Sequence, residues 1–284
     1  MTPVELAGLL VVASVGAGLL GSLLGLGGGF VIIPVLTLLF GVDIRLAIGA
    51  SVVAVVATSV AAAPRNLDSG LSNIRVAIFL AMATTMGALS GAWLSGWLEA
   101  RVLYAVFGSV LVFAGCQMVR KLMRAPAVPS GSAAENLPPE GGDRLGLSGS
   151  YPDPESGRLV AYRVVHPVLG LGLMYVAGTV GGLLGIGSGV LKVPAMDVAM
   201  RLPLKVSMAT SNLLIGVTAA SASLVYLLRG DVDPFLAGPV AAGVLLGAWA
   251  GGRLLPRVRV GALTWWFLAV MAVVAVEMLW KGLA

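Results

Sequence analysis

Apolar residues in this chain neither alternate nor recur on one helical face; they run. Residues 6–40, 46–63, 76–98 and 102–119, then 167–200, 206–228, 234–252 and 260–280, are nearly free of charge. About 20 apolar residues in succession form a helix long enough to cross the hydrocarbon core of a bilayer, so these runs predict membrane-spanning helices. The first and fifth runs exceed one crossing, and glycines break both, in "GLGGGFVIIP" (25–34) and "GIGSGVLKVP" (185–194). The first half therefore reads as five apolar pieces, about 4–24, 28–40, 44–63, 74–98 and 102–122, the second of them short of a full span.

Shifted by 160 positions, the chain falls on itself without a gap. Gly18 meets Gly178, Gly21 meets Gly181, Gly25 meets Gly185, Gly27 meets Gly187, Gly29 meets Gly189 and Pro34 meets Pro194. The same shift pairs Ser51 with Ser211, Thr58 with Thr218, Gly87 with Gly247, Gly91 with Gly251 and Phe107 with Phe267. A register held across a whole half argues against chance coincidence of small residues, and internal duplication is a signature of secondary transporters. The expected organisation is a first transmembrane repeat over 1–123, a linker over 124–166 and a second repeat over 167–284. The first part of the linker, rich in Pro, Gly, Ser and acidic residues, cannot build a core and is expected to be disordered. Its later "GRLVAYRVV", following the turn-like "PDPESG", allows a short β-hairpin. His166, the single histidine, ends that stretch and reads as a solvated linker residue.

Composition agrees with the pattern: 58% of residues are hydrophobic, 11% are charged and mean hydropathy is +0.99, against roughly 25% charge in soluble chains. The formal net charge of +5 would suggest nucleic acid in a soluble protein, but the basic residues cluster at the ends of apolar runs, which is a signal of topology. If each glycine-broken piece folds back as a re-entrant or full hairpin, each half crosses an odd number of times. One face then receives Arg65, Arg75, Arg120, Lys121, Arg124, Arg201, Lys205, Arg253, Arg257 and Arg259 with the linker arginines, and the other only Arg45, Arg101, Arg229 and Lys281. An even count divides them almost equally. The positive-inside rule thus favours two inverted repeats, both termini outside and a cytoplasmic linker. The start, "MTPVELAGLL", has Glu5 and no basic residue ahead of its apolar run, unlike a secretory signal, and is expected to stay as the first membrane element. Cys116, the single cysteine, can form neither an intrachain disulfide nor a metal cluster by itself and reads as packing.

Non-helical backbone at membrane depth is tolerated only where protein or a water-filled cavity surrounds it, so the two glycine breaks mark a candidate cavity. A helix that starts after such a break presents unpaired amide N–H groups and the positive end of its dipole, which favours an anion. Gly27, Gly28 and Gly29 in the first copy and Gly187, Ser188 and Gly189 in the second are therefore candidate substrate-binding residues. Lys192 joins them, a lone cation whose repeat mate is Ile32. An intramembrane lysine is by default functional; the alternatives are a structural pair with Asp197 or snorkelling to an interface. Asp197 could instead carry a coupling proton. Thr210, Ser211 and Asn212, with Ser51 as the mate of Ser211, form a second polar cluster, suited to substrate contact or to helix-to-helix hydrogen bonding. Arg65, Asn66, Arg229, Asp231 and Asp233 read as interfacial groups. A nucleotide-cradling role for the glycines lacks its strand–turn–helix context. No HExxH, Ser/His pairing or cluster of His and Cys ligands points to an enzyme, a metal or a cofactor.

"SLLGLGGGFVIIPVL" (22–36) and "GLLGIGSGVLKVPAM" (182–196), with "KVSMATSNLLIGVTAASAS" (205–223) and "VYLLRGDVDP" (225–234), closely resemble the sulfite exporter TauE/SafE family of bacterial membrane proteins. The resemblance covers essentially the whole chain, including "YPDPESGRLVAYRVV" between the halves; Ser188 departs from the commoner glycine. It implies a carrier in the bacterial cytoplasmic (inner) membrane that moves small anions such as sulfite or organosulfonates, often outward. The expected fold is an all-α polytopic membrane protein of two inverted repeats, working by alternating access with the anion and the lipid bilayer as its partners. Competing expectations are a membrane scaffold or assembly protein without a solute pathway, and a carrier of a neutral solute or cation.

Overall fold

The computed structural model describes residues 3–24, 28–68, 71–123, 146–152, 159–254 and 260–283. The first half folds into α1 (Pro3–Leu24), α2 (Gly29–Pro34) running into a π-helical turn (Val35–Leu39), α3 (Ile44–Asp68), α4 (Ile74–Ser95) and α5 (Ala100–Met123). A two-stranded antiparallel hairpin follows, β1 (Gly149–Pro152) on β2 (Leu159–Tyr162), with Gly149 opposite Tyr162. The second half repeats the order as α6 (Pro167–Leu184), α7 (Gly189–Pro194) with its π turn (Ala195–Ala199), α8 (Leu204–Arg229), α9 (Pro234–Leu254) and α10 (Val260–Leu283). From α2 onward, each element of the second half begins 160 positions after its counterpart. The expected disorder of the linker falls on residues 124–145, outside the described ones.

Local rules account for the boundaries. Pro34 and Pro194 each stand where α gives way to π, because proline removes the N–H that would continue the regular ladder. Each π turn closes through an amide reaching back across the bend, Val42 N–H to Leu36 O (3.0 Å) and Leu202 N–H to Met196 O (3.1 Å). At about 1.5 Å per residue, the eleven residues of each α–π piece span about 16 Å, half a hydrocarbon core. Six of the longer helices among the described residues, α3 to α6, α8 and α9, are long and apolar enough to cross a membrane. The outer surface is correspondingly apolar, with Trp93, Trp97, Trp249, Trp265, Trp280 and Phe235 exposed, as expected of a surface that lipid covers. Cys116 is exposed as well: it lies on the outward face of α5 and is not part of the packed core.

The helices pair across the halves. α1 runs along α9 and α4 along α6, α5 packs on α10, and α3 and α8 meet each other and also α9 and α4 respectively. Glycine makes the closest of these approaches possible. A Cβ added to Gly247 would sit 2.1 Å from the Val15 carbonyl oxygen, and one on its repeat mate Gly87 would sit 2.2 Å from the Tyr175 carbonyl oxygen. Lipid tails are as apolar as side chains, so helices in a bilayer gain little from hydrophobic burial and depend on such small-residue contact.

The hairpin packs into a buried cluster of its own with α4, α6 and α8. Tyr151 and Tyr162 pack with Val76, Leu80, Met174, Met196, Met200 and Val206. Asn73 ties it down: its side-chain oxygen caps α4 by accepting from Val76 N–H (3.0 Å), while its amide donates to Tyr162 OH (2.7 Å) and to Leu147 O (2.9 Å). Burial raises the Tyr162 phenol above its ordinary pKa, and the Asn73 amide lowers it in part.

Gly247→Ala is expected to destabilise by about 1–3 kcal/mol through overpacking. Gly16→Ala, where an added Cβ meets nothing within 4 Å, is expected to be neutral or mildly stabilising. Thermal unfolding of the detergent-solubilised variants ranks the two.

Candidate functional site

The two glycine phrases meet. Gly29 opens α2, and a Cβ placed on it would lie 2.8 Å from Ser51 Oγ and 3.1 Å from Ile186 Cα, in the middle of the other phrase. Gly28 precedes it, buried, with its carbonyl accepting from Val31 and Ile32 N–H (3.1 Å each). Gly27 lies outside the described residues. The second phrase bends sharply: Gly185, Gly187 and Ser188 have φ of 66°, 70° and 52°. Left-handed backbone costs little at glycine, but Ser188 holds it with a side chain.

That bend leaves carbonyls without helical partners, and side chains from elsewhere meet them. Tyr226 OH donates to Gly182 O (2.8 Å) and Leu183 O (3.0 Å), and Ser51 Oγ donates to Gly185 O (3.0 Å). Lys192 Nζ donates to Gly187 O (3.0 Å), to Leu214 O (3.3 Å) and to Thr218 Oγ1, whose own hydroxyl donates to Leu214 O. Three acceptors match the three protons of an ammonium. Lys192 is fully buried, so it does not snorkel, and the pair with Asp197 weighed from the sequence does not form. Among the described residues no carboxylate pairs with Lys192. Asp197 sits half-buried on the π turn with an interaction of its own.

The remaining candidates divide. Ser211 is buried against the second phrase, its Oγ 3.8 Å from a Cβ built on Gly189, and among the described residues Ser188 Oγ and Ser211 Oγ have no hydrogen-bond partner. Thr210 turns elsewhere, since consecutive helical residues point about 100° apart. Thr210 Oγ1 accepts from Asn73 N–H (3.1 Å) beneath the hairpin, while Asn212 is half-buried and its backbone carbonyl accepts from Ser59 Oγ (3.1 Å) on α3. Sequence reasoning did not place Thr218 or Tyr226 in this network. The pairing of Thr58 with Thr218 in the repeat was the available signal for one; Tyr226 had none. Arg229, read as interfacial, binds Asp231 and also reaches Ala92 O and Ser95 Oγ (2.9 Å each), joining the end of α8 to the end of α4.

A separate cavity of about 230 Å³ lies among α1, α2, α5 and α10, lined by apolar side chains including Leu20, Phe30, Pro34, Leu111, Phe267 and Met271. Among the described residues that line it, none is charged.

Thr218→Val, which takes one acceptor from the buried ammonium, is expected to cost about 1–3 kcal/mol. Ser211→Ala removes an unsatisfied buried hydroxyl from a helix and is expected to leave stability unchanged or raise it. Thermal unfolding of both variants in one detergent checks the contrast.

The family model described as Sulfite exporter TauE/SafE matches residues 10–278. A Bacillus subtilis (strain 168) protein named "Probable membrane transporter protein YunE" is 28% identical over 253 residues, which cover 87% of this chain and 86% of that protein. A "Probable membrane transporter protein" of Xylella fastidiosa (strain 9a5c) is 26% identical over 281 residues, 97% of each chain. No solved structure matches the chain.

Proposed function

Because the chain belongs to the sulfite exporter TauE/SafE family, we propose that it is a secondary carrier that moves small anions such as sulfite or organosulfonates across the bacterial cytoplasmic membrane. The observation that carries this reading is Lys192, a buried cation hydrogen-bonded, among the described residues, only to neutral acceptors. Burying an uncompensated charge in a medium of low dielectric is costly, and a bound anion would offset that cost. The binding site comprises Gly28 and Gly29 of the first phrase, Gly187, Ser188 and Gly189 of the second, and Lys192, Ser51 and Ser211 around them. Thr210 and Asn212 border it, with the Thr210 hydroxyl engaged by Asn73.

The two halves act as inverted repeats, with both termini outside and the linker and hairpin in the cytoplasm. The basic residues gathered at one set of helix ends support this orientation. The site residues are closed off from solvent, which suits an occluded state between two access states. Opening to the cytoplasm would loosen the packing under the hairpin, and opening outward would part the opposite helix ends. The role we assign to Asp197, half-buried on the π turn, is to carry a coupling proton.

Sulfite efflux from proteoliposomes is expected to fall by about tenfold or more in Lys192→Met that remains monodisperse after purification. Unchanged flux in that variant would remove Lys192 from the pathway. Absence of anion flux in the folded wild-type protein would favour a scaffold or a carrier of neutral solutes or cations.

A further inference from the structure

Lys192 is the only charged side chain among the described residues that is buried. A duplicated architecture could have supplied two cations to a shared site, one from each half. This chain supplies one, because the repeat-related position is Ile32, itself 1% exposed. The acceptors around Lys192 are two carbonyls and a hydroxyl, so they hold an ammonium without neutralising it. The hydroxyls of Ser188 and Ser211, buried and unpartnered among the described residues, can each donate a hydrogen bond to an oxyanion without adding charge.

We infer that the site selects its anion by charge, accepting monoanions and rejecting dianions of the same shape. The inference rests on the anion-carrier reading. A monoanion beside Lys192 makes a neutral pair, whereas a dianion leaves one negative charge uncompensated at membrane depth and brings a heavier desolvation cost. For a diprotic acid the transported species is then its singly ionised form, so hydrogensulfite is the form of sulfite that enters the site.

The test compares anions that share three sulfonyl oxygens and differ in charge: methanesulfonate and sulfamate against sulfate, at constant ionic strength, on the purified full-length protein. Affinity is read from the ligand-dependent rise in unfolding temperature. Methanesulfonate and sulfamate are expected to bind about tenfold or more tightly than sulfate. Equal or tighter binding of sulfate would overturn charge selection and leave the anion-carrier reading standing. If none of the three shifts a folded protein while sulfite drives flux, the charge rule also fails, and if sulfite drives none, the carrier reading fails with it. Ile32→Lys adds a second cation next to Gly28, whose built Cβ lies 3.4 Å from Ile32 Cδ1 and 3.8 Å from Thr58 Cγ2. A folded Ile32→Lys protein is expected to shift its preference toward sulfate, and an unaltered preference would overturn the inference.

Discussion

Backbone carbonyls and amides in a bilayer have no water to turn to, and this constraint governs the centre of the molecule. The second glycine phrase breaks a helix where that is most costly, and the freed carbonyls of Gly182, Leu183, Gly185 and Gly187 become the acceptors at the centre of the candidate site. Their donors come from three helices: Ser51 on α3, Lys192 on α7 and Tyr226 on α8. A break that would be a defect in an isolated helix thus becomes a junction, closed mostly from within the second half and tied to the first by Ser51. The same junction puts the Lys192 amine at the point where the broken pieces meet.

Close packing of backbones follows from the same solvent. Helices that gain little from hiding apolar surface must touch along glycine, and Gly87 and Gly247 bring neighbouring carbonyls nearer than any side chain would permit. The resulting assembly is paired between halves at nearly every long helix, so the boundary between repeats in the sequence is not a boundary between folding units in space. The hairpin breaks this correspondence. It packs with α4, α6 and α8 through Asn73, Tyr151 and Tyr162, and its place in the chain, between the halves, gives the first half no copy of it.

Much of the fold was legible because duplication and hydrophobic length are one-dimensional signals. The glycines at 25–29 and 185–189, the prolines at 34 and 194 and the ungapped register placed the helix starts at Gly29, Ile44 and Ile74 within a residue or two of the structure. The site was less legible. Which face of α8 points inward depends on helix phase against neighbours from the other half, and so Ser211 lies against the break while the Thr210 hydroxyl meets Asn73. Thr218 lies 26 positions from Lys192, too far along the chain for any local pattern to join them. Cys116 misled because an apolar run says that a residue sits among apolar neighbours, and in a membrane those neighbours include lipid.

Pairing across the halves also constrains how the protein is made. α1 occupies residues 3–24 and its main partner, α9, occupies 234–254. Chains emerge from the ribosome at about 5–20 residues per second, so α1 waits on the order of ten seconds or more for the surface it will finally cover. During that wait the narrow faces of α1 and α3 are open to whatever other helices the insertion machinery holds nearby. The glycine seams that secure the finished molecule are therefore also where a nascent chain is most open to a wrong neighbour.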